Sequence, residues 1–256
     1  MADLEPLLRY WRAQDDLFER VEVTPWGAVV SDARFPKVHE GNYARVEARH
    51  QVSLADVEST LLPALERVRC DRVHVLLFHP EDTTEILTEA STRGEHLAWD
   101  LVMCFTGATG RSDGPVEEVR TFDGAFWDTY DASGALFDME DEAVLAGYRA
   151  IERDVMIPSG RRWFTVLDGS RIVALSSVLV LEGVGFVDHV VTFPNARRRG
   201  YATALTQRAL AEARVAGAER TYLLAEPDGV AAAMYEGIGF RPVTQIASWI
   251  AAIDAR

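Results

Sequence analysis

Apolar residues recur along this chain with two periods, and the switches between them outline its elements. Ala202, Leu205, Ala209, Ala213 and Ala216 keep helical spacing and Gly217 supplies a stop, which predicts a helix over Tyr201–Val215. Val144, Leu145, Tyr148 and Ile151 form a similar stripe in "DEAVLAGYRAIERDV", after a first helical segment "GAFWDTYDASGALF". "RWFTVL" and "RIVALSSVLVLEG" are strand-like runs joined at Asp168-Gly169, a strong hairpin signal. "VGFVDHVVTF" predicts a further strand bounded by Pro194, and "RTYLLAE" and "VTQIASWIAAI" predict two more. Between the last two lies a short helix, "VAAAMYEGI", ended at Gly239. With the strand "VEEVRTF" in front, the second half reads β-α-α-β-β-β-α-β-α-β.

The first half repeats parts of this order. An amphipathic helix over residues 3–20 precedes strands at "PWGAVVSD" and "NYARVEARH". A helix over 53–67, the strand "RVHVLLF", a helix near 82–93 and the strand "LAWDLVMCF" follow. Between the halves, "TGATGRSDGP" has no apolar residue larger than alanine and reads as a linker. The expectation is an α/β protein with a mixed β-sheet flanked by helices. It is organised as an N-terminal domain (1–107), a linker (108–115) and a C-terminal domain (116–256), the first a possible duplicate of the second's fold.

Composition narrows the function classes. Forty acidic against 26 basic residues give a formal charge of −14, which argues against general nucleic-acid binding and suits a cationic small substrate. No window approaches the ~18 consecutive apolar residues of a membrane span. The N-terminus carries acidic residues where a signal peptide needs a basic start. Cys70 and Cys104 lie far apart and show no metal-binding spacing. A cytoplasmic protein with reduced thiols, no metal and no membrane partner is expected, with a homodimer among its expected assemblies.

Against this acidic background Arg197, Arg198 and Arg199 stand together where a strand turns into a helix, directly before Gly200. A helix N-terminus exposes unpaired N–H groups and partial positive charge, which suits phosphate oxygens. A glycine permits close backbone approach, and flanking arginines add charge-assisted hydrogen bonds. A solvated basic turn explains the same letters.

Residues 192–202, "TFPNARRRGYA", resemble the acetyl-CoA motif of the GNAT superfamily of N-acetyltransferases. There a strand ends near a proline, and Arg/Gln-x-x-Gly-x-Gly/Ala opens a helix. Here the pattern falls on Arg197, Gly200 and Ala202. Further on, "AAAMYEGIGF" resembles the family's second signature, a short helix carrying a tyrosine and ending in Gly-Phe. The resemblance covers about 116–256. It implies that backbone groups of Val190 and Thr192 pair with the pantetheine arm, and that N–H groups from Arg198 through Arg199, Gly200, Tyr201 and Ala202 to Thr203 hold the pyrophosphate. It implies Tyr235 as the acid for the departing thiolate, and an N–H near Val190 or Val191 for the developing oxyanion. Asp228 departs from the family's frequent asparagine; it either alters cofactor contacts or caps the following helix.

The implied reaction is acetyl transfer from acetyl-CoA to an amine, which requires a base. Asp188 and His189 on the central strand, pointing to opposite faces by period two, and Glu226 at the end of the next strand are the candidates. "WDTYDASGALFDMEDE", rich in carboxylates and aromatics, is the expected acceptor region for a cationic amine. The first half has no glycine at the corresponding turn, "RHQVSLADVESTLL", so it reads as a degenerate copy without a cofactor site. The same motifs also fit a non-catalytic acyl-CoA-binding regulatory or sensor protein.

Overall fold

The computed structural model describes residues 4–93, 96–107, 114–137 and 139–253. In chain order its elements are helix α1 (Glu5–Asp15), strands β1 (Arg20–Thr24), β2 (Gly27–Ser31) and β3 (Tyr43–Val46), helix α2 (Leu54–Val68), strand β4 (Arg72–Leu77), helix α3 (Thr84–Thr92) and strand β5 (His96–Phe105). Then come strand β6 (Val116–Glu118), helices α4 (Gly124–Gly134) and α5 (Glu142–Ile151), and strands β7 (Arg162–Asp168), β8 (Arg171–Leu181) and β9 (Val184–Thr192). Helix α6 (Tyr201–Val215), strand β10 (Arg220–Ala225), helix α7 (Val230–Ile238) and strand β11 (Phe240–Ala252) complete the fold. Among the described residues no helix is long and apolar enough to cross a membrane.

These elements form two compact units, Met1–Ala13 with Val102–Val243, and Gln14–Leu101 with Thr244–Arg256. In the second unit the strands run β1-β2-β3-β4-β11. The β1/β2, β2/β3 and β4/β11 pairs are antiparallel and β3/β4 is parallel. Helix α2 is fixed at its start by a capping box between Ser53 and Asp56. Its stripe of Leu54, Val57, Leu61, Ala64, Leu65 and Val68 enters a core that includes Val75, Leu77 and Trp249.

In the first unit the order is β5-β10-β9-β8-β7-β6, with residues 102–105 of β5 beside β10. Here β9 and β10 are parallel, while β8/β9, β7/β8 and β6/β7 are antiparallel. Tyr10 of α1 stacks on Phe186 of β9, ring centroids 5.2 Å apart. Arg162 ties β7 to β6 through Glu118 and to α6 through Glu212.

The succession β-β-β-α-β-α occurs in both units, with the same strand directions. The compact units differ from the expected cut at 107/116 because backbone pairing and apolar packing cross it. The last strand pairs with β4, and the first helix packs on β9. The expected linker lies largely outside the described residues, but its end is packed: a Cβ on Gly114 would sit 2.5 Å from the Cβ of Ala204 on α6. The helix expected over 3–20 ends at Asp15, and Arg20–Thr24 forms a strand. That strand buries neither face (Val23 is 82% exposed), so its apolar positions merged with the helical pattern before it.

Candidate active site

Strand β9 is paired differently on its two edges. Among the described residues, its parallel pairing with β10 runs from Val184↔Arg220 to Phe186↔Tyr222 and stops. Beyond Phe186, the β10-facing edge of β9 therefore offers N–H and C=O groups to another partner. On the other edge, Ser177 faces Asp188 but Leu175 faces Val191, so His189 and Val190 together oppose Ser176. This is a β-bulge, and His189 takes a φ of 54° to make it. Val191 is buried against Phe126, Tyr130, Trp163 and Leu175, whereas Val190 and Thr192 are half-buried.

The chain then makes a single 3-10 turn, Pro194–Ala196, and enters the arginine turn. Arg197 Nε donates to the Thr192 carbonyl at 3.1 Å, folding its side chain back onto the strand end. Arg198 and Gly200 have φ of 62° and 79° on either side of Arg199. Alternation of this kind turns successive N–H groups toward one concavity, the backbone geometry of anion sites. A Cβ at Gly200 would meet nothing within 4 Å, so glycine serves its positive φ there, not crowding from the protein. The first bond into α6 is Ala204 N–H to the Gly200 carbonyl at 3.0 Å, which leaves the N–H groups of Tyr201, Ala202 and Thr203 ahead of the helical ladder. Arg199 also reaches Asp168 at 3.4 Å, an exposed pair of small energetic weight.

Beside the bulge lies a polar cluster on one face of the sheet. Trp163 pairs with Ser177 and Ser177 with Asp188, so these three share that face. The His189 ring lies 5.2 Å from that of Trp163 and stacks on Tyr130, centroids 5.2 Å apart and planes 14° from parallel. The expectation that Asp188 and His189 point to opposite faces is thus corrected, because the bulge breaks the period-two alternation.

Asp188 accepts the His189 N–H at 2.8 Å on Oδ1 and Arg161 Nη1 at 3.3 Å on Oδ2, while 45% of its side chain stays exposed. Arg161 pairs at 3.2 Å with Glu152, a buried carboxylate that also accepts Trp163 Nε1 at 2.7 Å. Burial raises the pKa of Glu152 above the usual carboxylate range, against the opposing pull of Arg161. Glu152 opens a short π-helical turn, Glu152–Met156, after α5.

His189 is pushed down to about 4, first by burial, with Arg161 adding to the shift and Asp188 opposing it. Its Nε2 lies 2.7 Å from Ser133 Oγ, and that hydroxyl donates to the Tyr130 carbonyl at 2.6 Å. With its one proton committed there, Ser133 accepts from Nε2–H, leaving the lone pair of His189 on Nδ1. Tyr235 is buried, 5.8 Å from the Phe240 ring. Its pKa is pushed up to about 12, chiefly by burial and then by the negative charge of Asp188.

The remaining expected residues lie differently. Glu226 is exposed in the turn after β10, its carbonyl accepting from Gly229 N–H at 3.1 Å, and none of the described contacts of the Asp188 cluster includes it. Asp228 is exposed with φ 59°, and the cap of α7 is Gly229 without a side-chain hydrogen bond, so the capping alternative for Asp228 fails. The expected acceptor region carries its own cation: Arg149 lies 5.2 Å from the Trp127 ring centroid and pairs with Asp131 at 3.2 Å. Tyr10, Ser133, Glu152, Arg161 and Trp163 had no motif to mark them. The one local signal is an arginine placed directly before a buried strand. The second unit holds a group of its own, His79, Glu81 and Asp82, with ligand atoms within 4.8 Å of one another, but the positive charge of Arg49 acts on His79 and opposes a cation there.

The model of the acetyltransferase (GNAT) family matches residues 116–240. No curated protein matches the sequence. A GCN5-related N-acetyltransferase from Kribbella flavida is similar in fold at 14% identity and TM-score 0.66, covering 97% of this chain and 95% of that one. A functionally unknown conserved protein from Staphylococcus epidermidis gives 10% identity and TM-score 0.67, covering 92% and 94%. The chain spans 64% of a GNAT-family protein from Novosphingobium aromaticivorans, covering 60% of itself, at 20% identity and TM-score 0.47. The family match encloses the parted strand, the bulge and the arginine turn, so residues 116–240 form a GNAT-family acetyltransferase domain.

Proposed function

We propose that this acyltransferase moves the acetyl group of acetyl-CoA to a primary amine of a small or peptide acceptor. The observation that carries the reading is the free edge of β9 running, through one short turn, into a helix N-terminus flanked by three arginines. The strand edge suits an extended amide-bearing arm, and the turn suits a pyrophosphate. Acetyl-CoA, when bound, supplies an acyl group already activated as a thioester.

The chain's own groups have separable tasks. Backbone N–H groups from Arg198 to Thr203 hold the phosphates, with Arg197, Arg198 and Arg199 adding charge. Edge groups of Val190 and Thr192 align the arm, and an N–H at Val190 or Val191 faces developing negative charge. Tyr235 keeps its proton across the physiological range and donates it toward the sulfur. Asp188, exposed and held at both oxygens, receives the proton of the incoming ammonium. His189 stays uncharged, so it does not repel that ammonium. Because Arg149 already occupies the Trp127 face, Asp188 is the group that addresses the acceptor's cation. We also infer a cytoplasmic setting, supported by the free buried thiols Cys70 and Cys104.

The test is a thermal-shift titration with acetyl-CoA of the wild type and of an Arg199→Glu, Gly200→Asp double variant. A ligand at about 100 times its Kd stabilises the folded state by about 2.7 kcal/mol, a readily visible shift. The wild type is expected to shift with dose, the variant not, and thiol release with a panel of primary amines then follows. Absence of any shift in the wild type overturns the donor assignment.

A further inference from the structure

Helix α1 begins about 180 residues before the strand it packs on, and it brings one polar group to the Asp188 cluster. Tyr10 is fully buried, its ring stacked on Phe186, two residues before Asp188 on the same strand. Its hydroxyl feels the charges of Arg161, Asp188 and Glu152. Neither the Tyr10 hydroxyl nor Arg161 Nε completes a hydrogen bond of good geometry, although both are buried. Unsatisfied buried donors of this kind are rare and call for a reason. Hydrogen bonds in catalytic sites are often long until the site is filled, and they tighten then.

Arg161 is the hub of this cluster. One side of its guanidinium meets Glu152 and Asp188, and Tyr10 lies beside it. Glu152 is itself anchored by Trp163. The π-turn that carries Glu152 is the local irregularity that places a carboxylate there, and such turns concentrate at functional sites. Asp188 is the one member with substantial exposure, so the other three act on a reaction only through it.

We propose that Tyr10 and Glu152 are positioning residues for the acetyl-transfer reaction, acting through Arg161 to aim the Asp188 carboxylate. This rests on the reading of Asp188 as the group that takes the acceptor's proton. Glu152 and Asp188 share the same Nη1 of Arg161, so Glu152 fixes where the guanidinium stands beside the Asp188 carboxylate. The Tyr10 hydroxyl, brought in by α1, stands beside the guanidinium and holds it once that bond closes in the filled site. The other groups facing the carboxylate are the His189 N–H and ring, on its own strand, and Tyr235 on α7.

The test uses the full-length chain with Tyr10→Phe and Glu152→Gln. Phenylalanine keeps the stack on Phe186, so Tyr10→Phe is expected to melt as the wild type; glutamine keeps an oxygen for Trp163 Nε1, so Glu152→Gln is expected to fold with a lower Tm, because buried Arg161 loses a counter-charge. The readouts are thiol release from acetyl-CoA with the best primary amine of a panel, across pH 6 to 10, and the acetyl-CoA thermal shift. About a tenfold lower kcat is expected for Tyr10→Phe, with KM for acetyl-CoA and the thermal shift unchanged. For Glu152→Gln, a lower kcat is expected with KM for acetyl-CoA and the thermal shift unchanged, a split that mere loosening of the fold does not produce. Wild-type kcat in both variants overturns this proposal and leaves the acetyltransferase reading standing. A wild type that binds acetyl-CoA but turns over no amine overturns both.

Discussion

Acid should destabilise this protein through one histidine in particular. His74 lies on β4, its ring 4.8 Å from that of His39 and 5.8 Å from that of Tyr43. Its Nδ1 is buried without a hydrogen-bond partner. Burial, with His39 adding to it, pushes its pKa from 6.5 down to about 3. Between those values the unfolded chain binds a proton that the folded chain refuses. The folded state therefore loses stability as pH falls below about 6.5, at a limiting slope of about 1.4 kcal/mol per pH unit. Integrated from pH 7.5 to pH 5, the loss from this one residue is about 2 kcal/mol. Urea unfolding at the two pH values, read by tryptophan fluorescence, measures it, since Trp26 and Trp249 lie in the core of the same unit. A His74→Phe variant keeps a flat ring and removes the titration. The wild type should lose about 2 kcal/mol more than the variant between the two pH values, with titrating groups that do not touch His74 cancelling in the comparison. An equal loss in both proteins refutes the argument.

Two further outcomes follow from the first unit. Gly200→Ala should cost about 1–2 kcal/mol, because a Cβ there is opposed by the φ of 79° and by no neighbouring atom; unchanged urea unfolding would remove the conformational reason for glycine. Tyr235→Phe should lower kcat about 100-fold, at the modest end for a positioned acid, and the wild-type rate should show no alkaline fall up to pH 10, since the phenol holds its proton to about 12. An alkaline limb near pH 9 that vanishes in the variant would contradict that burial.

How much of this could be read from the letters depends on where each signal resides. Helices α6 and α7 were legible to the residue, because an apolar stripe and a terminal glycine are local. The arginine turn was legible for the same reason: strand, proline, arginines and glycine follow one another. The bulge was not, because its extra residue is defined only by the strand opposite, and Ser176 carries no mark of being opposed by two residues. That one unreadable feature reversed the relation of Asp188 to His189.

The polar cluster illustrates the same limit at longer range. Tyr10 lies on α1, Glu152 on the π-turn, Arg161 just before β7 and Asp188 on β9, and each alone reads as an ordinary residue of its segment. Their buried contacts with one another make them informative, and contact is not a property of a short window. Strands β5 and β11 make the point for the fold. Either apolar run could complete either unit by its pattern, since period and length say that a strand is buried but not beside which neighbour. Register decides it: Ala247 through Ala252 pair with Leu77 through Arg72, joining the end of the chain to a strand from its first third. A cut made at the glycine-rich stretch therefore divides the sequence where its composition changes, while the packed units exchange segments across that cut at both termini.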